Sequence, residues 1–282
     1  MIYHKQNYSV QNYNLKIGST LSIRTNFVKV ALLGLVTPVA IFAMTAKDVA
    51  YKVDAVNSGF VDSVSDMKMT LVDANGASSV RHMNNKRMEK PKGSDGEGGK
   101  SLMYFKSPSD VKGTALLTHE KIDRNDDQWL YLPALKRVKR ISSKNKSGSF
   151  MGSEFSFEDL SGQPPEKFTY DGDAKKSTLN GKNVLVYDRI PTDKYSGYKK
   201  HIVYVDAKEF IVRKIDYYDR KSDLLKSSDV GNYHKVKGFW RPQKVMMKNI
   251  QTGKATTLEW LNEKLKNSLK AKDFAKRILK RR

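Results

Sequence analysis

The chain has 282 residues, with 52 Lys+Arg against 30 Asp+Glu and no cysteine. The length is ample for a hydrophobic core, and the lack of cysteine excludes disulfides and thiolate metal ligands. A formal charge of +22 points to an anionic partner: nucleic acid, a membrane surface or an acidic protein face.

Arg24 and Lys29 precede the apolar run Val30–Val36, which resumes after Thr37-Pro38 as Val39–Ala43. A basic flank, a short apolar core and small residues at its end predict a secretory signal peptide within a leader of residues 1–43, with cleavage after Ala43. The run is short and Pro-broken for a membrane-spanning helix, so an uncleaved inner-membrane anchor is the lesser alternative. Removing residues 1–43 takes away four basic residues and no acid, leaving 48 basic against 30 acidic residues, a net of +18. Export argues against nucleic acid as the target of this charge. The remainder, 44–282, reads as one domain.

Ala46–Phe60 predicts a helix, with Val49, Val53 and Val56 on one side and Gly59 at its end. The pattern then changes to period two. Met67–Leu71 and Ser78–Lys90 flank Asn75-Gly76, a hairpin signal. Further strands are predicted at Leu102–Phe105, Thr114–His119, Gln128–Leu132, Lys167–Tyr170, Asn183–Ile190, Lys200–Val205, Ile211–Tyr218, Phe239–Lys248 and Thr256–Leu261. Ten or eleven strands in meander, without βαβ alternation, predict a curved antiparallel sheet or barrel in an α+β fold. Two segments fall outside the meander. In Ser147–Leu160 small residues alternate with apolar ones and neither period is clean. Lys264–Arg282 reads as a short helix with Leu265, Leu269, Phe274 and Ile278 amid nine basic residues, either a capping helix or a basic amphipathic helix touching anionic lipid.

The catalytic and metal motifs fail on chemistry. Gly99-Lys100-Ser101 ends like a phosphate loop, but Ser94 stands where the first glycine belongs and a strand follows where a helix is needed. Asp123–Asp127 opens like a calcium loop, but Gln128 and Ala134 occupy the glycine and bidentate-glutamate positions. The histidines lack ligand spacing. Ser143-Lys144-Asn145-Lys146 matches SxxK only in a Ser/Lys-rich stretch where such a match is expected by chance. The reading is a binding protein without a cofactor, not an enzyme.

Methionine and aromatic residues are frequent on the strands of a chain of negative mean hydropathy. Met67, Met69, Met103, Phe105, Trp129, Tyr131, Tyr204, Ile215, Tyr217, Met246 and Trp260 are candidates to wall a cavity for variable apolar cargo; the plain alternative is an ordinary barrel core. Lys136, Arg137, Lys139 and Arg140 form a basic run that would meet lipid headgroups or an acidic docking face, or else discourage pairing at a strand edge. Phe150, Met151, Phe155 and Phe157 would supply a lid or plug, with Gly148 and Gly152 as hinges.

The stretch GTALLTHEKIDRNDDQWLYLPALKRVKRISSKNKSGSFMGSEFSFEDL resembles the signature of the LolA-like outer-membrane lipoprotein-sorting proteins. The likeness extends over nearly all of 44–282, from the helix before Met67 to a final DFAKRIL. It implies an unclosed antiparallel β-barrel with helices in its mouth. It also implies a periplasmic carrier that takes an acylated lipoprotein or lipid from an inner-membrane exporter, of RND type in this branch, toward an outer-membrane acceptor. In founding members of the family an arginine early on a strand governs release; Arg81 and Arg87 are two candidates for that position here, and the role is carried over to neither. A lipid-sensing or accessory subunit that keeps its cargo is the alternative.

Overall fold

The computed structural model describes residues 43–90 and 96–280. The expected signal peptide lies outside the described residues, as do Arg281 and Arg282 of the tail. One α-helix opens the described chain: α1 (Ala46–Asn57), whose first turn is capped by the Thr45 hydroxyl accepting from the Asp48 amide.

The remainder is a single antiparallel sheet of fourteen strands: β1 (Asp62–Val72), β2 (Ser78–Met88), β3 (Glu97–Ser107), β4 (Ala115–Lys121), β5 (Asp127–Leu132), β6 (Arg137–Ile141), β7 (Phe168–Tyr170), β8 (Lys175–Leu179), β9 (Lys182–Pro191), β10 (Tyr198–Asp206), β11 (Val212–Asp219), β12 (Leu224–Val236), β13 (Phe239–Asn249) and β14 (Ala255–Leu265). Neighbours in space are neighbours in sequence almost throughout, the order being β6-β5-β4-β3-β2-β1-β14-β13-β12-β11-β10-β9-β7, with β8 also beside β9. The join between the two runs is the β1–β14 ladder, in which Met67 faces Trp260 and Met69 faces Leu258. Strand β6 and the β7/β8 side of β9 remain ends, so the barrel is open. Register shifts at His82/Met83, Val64/Asp66, Tyr204/Val205 and Tyr217/Tyr218 mark bulges, which add twist and let a long sheet coil.

The expected open barrel and first helix are present. Three strands go beyond the expected eleven. β6 is built from RVKRI, β8 from KKSTL with four of its five residues exposed, and β12 from LLKSSDVGNYHKV, whose buried positions include Lys226 and Ser228. None shows apolar alternation. Among the described residues there is one α-helix rather than several.

Pleating divides the apolar residues between two faces. The inner face carries Met67, Met69, Met83, Met103, Phe105, Leu116, Leu130, Tyr217, Met247 and Leu258, packed with Phe150, Phe155 and Phe157 from the β6–β7 connection. Next to this cluster α1 lays Ala46, Val49 and Ala50 on Leu185, Tyr187, Val203 and Val205. The outer face of β3–β6 carries Leu102, Ala115, Leu117, Trp129, Tyr131 and Val138, covered by the tail through Leu269, Phe274, Ile278 and Leu279.

The tail therefore departs from the expected helix. Strand β14 runs on to Leu265, and two 3-10 turns come after it, Ala271–Phe274 and Lys276–Lys280. Its apolar residues are spent on the sheet, so it has no apolar face left to lie in a lipid interface. The buried carboxylate of Asp62 holds it, accepting from the Asn267 amide at 2.6 Å and the Leu269 amide at 3.0 Å, while His119 Nε2 meets the Phe274 carbonyl at 2.7 Å. Asp62→Ala is expected to lower the unfolding free energy by about 2–3 kcal/mol and to make trypsin trim the tail well before the sheet is cut. Unchanged digestion kinetics by mass spectrometry would rule out this clamp.

Candidate functional site

The inner face is apolar and open at its edges, and the segment 142–164 covers it. Ser149 and Ser156 form an isolated bridge, the Phe150 amide donates to the Phe155 carbonyl at 2.8 Å, and the Ser153 amide donates to the Phe150 carbonyl at 2.9 Å. The two residues between Phe150 and Ser153, Met151 and Gly152, both have left-handed backbone, with φ of 52° and 75°. This is the geometry of a type I′ turn, for which glycine at Gly152 is the unstrained choice. Gly148 does not use that region.

Phe150 is fully buried, and Phe155 and Phe157 are nearly so; Met151 is only partly covered. The Phe150 ring lies 5.8 Å from that of Phe105 and 5.6 Å, edge to face, from that of Phe157. The segment thus occupies the apolar face of the sheet.

Polar ties from both runs of the sheet hold it there. Arg81 on β2 donates to the Met151 carbonyl. Gln128 on β5 donates to the Phe157 carbonyl at 2.9 Å. Thr256 on β14 accepts from the Glu154 amide at 3.0 Å, and Asn249 donates to the Glu154 carboxylate at 2.8 Å. Asp159 is the hub: its carboxylate accepts from Lys226 Nζ at 2.6 Å, from the Tyr198 hydroxyl at 2.8 Å and from the Ser156 amide at 2.7 Å. Lys226 and Asp159 are both buried, and the Lys226 ammonium lies 5.2 and 5.5 Å from the ring centres of Tyr198 and Tyr217. A charge taken out of water needs such partners: the carboxylate, the Glu154 carbonyl at 2.9 Å and two aromatic faces. Glu158, next in the chain, accepts from the Ser196 hydroxyl and from the Gly197 amide at 3.0 Å, and burial pushes its carboxyl above the usual range.

Of the residues expected to wall the interior, Met67, Met69, Met103, Phe105, Ile215, Tyr217 and Trp260 lie in or against the inner cluster. Four do not. Trp129 and Tyr131 point to the outer face, because the pleat that turns Leu130 inward turns them under the tail. Tyr204 alternates with buried Val203 and Val205, and its ring meets Lys214 outside. Met246 alternates with the buried Met247, which takes the inner place. Of the basic run, Lys136, Arg137 and Lys139 are exposed at the β6 edge, while Arg140 pairs with Asp127. Arg81 and Arg87 lie on the same face of β2 as the inward Met83, but only Arg81 reaches the plug; Arg87 stands 3.7 Å from Glu120. Glu120 in turn fills the space left by glycines: a Cβ on Gly162 would come within 2.3 Å of its carboxylate. Lys226, Asp159, Tyr198 and His201 were not singled out from the sequence. A Lys–Asp contact across 67 positions has no local signature, and β12 itself lacks one.

His201 closes the back of the Lys226 site. Its Nδ1 accepts from Arg189 Nε at 3.2 Å, so the neutral ring carries its proton on Nε2, which has no partner among the described residues. Phe168, Tyr198 and Tyr217 enclose the ring at 5.6, 4.9 and 4.7 Å. Burial, then Arg189 and Lys226, holds its protonation well below the ordinary histidine range. The unfolded chain binds that proton more readily, so the stability His201 confers is whole above about pH 6.5 and drains away as pH falls below it. Glu158, raised by burial, acts with the opposite sign at lower pH. Urea unfolding at pH 7.5 and 5.5 should show the native chain losing up to about 1.4 kcal/mol per pH unit more than His201→Gln, which keeps an acceptor for Arg189. Parallel pH slopes for the two proteins would count against a buried neutral imidazole.

A family model described as "uncharacterized protein" matches residues 97–281. Among solved structures, the chain is similar to a domain described as an outer membrane lipoprotein-sorting protein from Vibrio parahaemolyticus, at 44% identity and a TM-score of 0.79, covering 83% of this chain and 97% of that one. It is similar to a DUF1329 family protein from Desulfovibrio piger, at 27% identity and a TM-score of 0.77 over the same shares. A LolA superfamily protein from Nitrosomonas europaea has the same fold, at 19% identity and a TM-score of 0.65, over 84% of this chain and all of that one. The curated proteins give no match. The open fourteen-stranded sheet and the identity to the Vibrio domain over nearly its whole length lead to one conclusion: this chain belongs to the outer-membrane lipoprotein-sorting protein family, on the fold seen in the LolA superfamily.

Proposed function

We propose that this chain is a periplasmic carrier that takes the acyl chains of a lipoprotein or lipid onto its inner face in exchange for its own plug. It would receive cargo from an inner-membrane exporter, RND-type on the sequence resemblance, and deliver it toward the outer membrane. The observation that carries the reading is the occupancy of the inner face. Phe150, Phe155 and Phe157 lie against Met67, Met69, Met83, Met103 and Met247, a wall of unbranched, polarisable side chains that can refit to another apolar guest. The chemistry is binding, with no bond made or broken.

Energetics favour exchange over filling an empty hold. Burying a sixteen-carbon chain is worth about 12 kcal/mol gross, at about 0.8 kcal/mol per methylene, which by itself would make release very slow. Three phenylalanines returning to the same surface recover about 5–9 kcal/mol at about 1.5–3 kcal/mol each. The difference is a few kcal/mol, the regime of reversible transfer. The hydrogen bonds to carbonyls 151 and 157 and the Asp159–Lys226 pair set how firmly the plug is seated.

Protein purified from the periplasm without detergent is expected to yield acyl material in an organic extract and to bind a hydrophobic fluorescent probe; neither being found would overturn the carrier reading. Movement of labelled lipid between two vesicle populations separates a carrier from a sensor, which binds and retains. Asp159→Asn should loosen the plug, because breaking a buried ion pair costs about 3–5 kcal/mol. Probe binding should rise and amide exchange at Phe150, Phe155 and Phe157 should accelerate ahead of the strands. Uniform acceleration over the whole sheet would instead mean that Asp159 serves global stability alone.

A further inference from the structure

We propose that the C-terminal tail and the β5–β6 turn together form a docking site for a membrane surface rich in anionic phospholipid. Two basic segments far apart in sequence meet on the outer side of the sheet edge. Lys136 and Arg137 from the β5–β6 turn and β6, and Lys276, Arg277 and Lys280 from the tail, line one open groove of about 550 Å³ with Val138 at its floor. All five cations are exposed, and no ion pair among the described residues engages any of them. The neighbouring Arg140, by contrast, is neutralised by Asp127.

This clustering is built, not a solvated fringe. The tail is pinned through buried Phe274 and Leu279, through Asp62 and through His119, so Lys276, Arg277 and Lys280 are held in place although their repulsion opposes it. Lys276 in addition lies 5.6 Å from the Trp129 ring centre. On the other wall, the 3-10 turn Pro133–Leu135, closed by a left-handed Lys136, carries Leu135 outward with 61% of its surface exposed. A leucine on a tight turn beside unpaired cations matches a headgroup layer, with phosphates for the cations and acyl carbon beneath for the leucine. An acidic protein face would satisfy the charge but gives the projecting leucine no assured place. Docking of this kind stands apart from the plug and holds whether or not the chain moves cargo.

The test is co-sedimentation of the full mature chain with phosphatidylglycerol-containing vesicles, against pure phosphatidylcholine vesicles. Binding is expected to anionic vesicles only and to vanish in about 0.5 M salt, where charges are screened within a few ångströms. Lys276→Gln/Arg277→Gln/Lys280→Gln should weaken it about a hundredfold, at roughly fivefold per cation near an anionic surface, and Leu135→Ser about tenfold. The exposed-charge control Lys175→Gln/Lys176→Gln/Lys182→Gln should bind as the native chain does, and all variants should keep its unfolding midpoint. No anionic-vesicle binding, or equal loss in the control, overturns the site. So does retention on an immobilised acidic polypeptide without vesicle binding, which would assign the groove to a protein partner. Failure of lipid transfer with vesicle binding intact would reject the carrier and leave the docking site standing.

Discussion

The structure depends on one constraint: an antiparallel sheet that does not close leaves an apolar inner face that water must not reach. A closed barrel would satisfy it with its own strands. Here the sheet ends at β6 on one side and at β7/β8 on the other, and the cover comes from two inserted pieces. Helix α1 covers β9 and β10 with alanine and valine, small residues that sit close. The β6–β7 connection covers the rest with three phenylalanines on a turn. The two covers differ in kind. A helix carries its own backbone hydrogen bonds, whereas a turn must borrow them, which is why Arg81, Gln128 and Thr256 all address plug backbone atoms.

On the proposed function, that borrowing is what lets the plug leave as well as hold. Its apolar contacts are non-directional and would suit another apolar guest equally well. Its polar contacts are directional and few, and the strongest gather at Asp159, where a buried lysine, a tyrosine hydroxyl and a backbone amide converge. The cost of opening is therefore concentrated at a handful of named atoms rather than spread through the core. His201, Tyr198 and Tyr217 form the floor beneath Lys226 and keep that spot free of water.

Much of this was legible in the sequence. The helix at Ala46, the eleven strands with apolar alternation, the absence of parallel units and the phenylalanines of the plug are all written in periodicity and composition. The omissions have physical reasons. Strands β6, β8 and β12 are held by their ladders and by buried polar groups, so hydrophobic period has nothing to report. Trp129, Tyr131, Tyr204 and Met246 are apolar or aromatic on strands as expected, but a two-sided sheet needs apolar residues on both faces, and composition does not tell which face is which. The tail reads as a helix because Leu265, Leu269, Phe274 and Ile278 lie near helical spacing. Leu265 in fact ends a strand, and the Asp62 clamp sets the path of the residues beyond it.

The β1–β14 ladder has a consequence for how the molecule comes into being. Each run of strands, β1–β6 and β7–β14, is a meander of neighbours and can form from local contacts as the chain becomes available. The seam between them joins residues 62–72 to residues 255–265, so it closes a loop of nearly two hundred residues. Until the last strand arrives, β1 is a bare edge and the plug lacks Thr256, its partner on β14. Completion of the fold is thus delayed to its final segment, and a chain that still lacks its last strand carries an adhesive half-sheet.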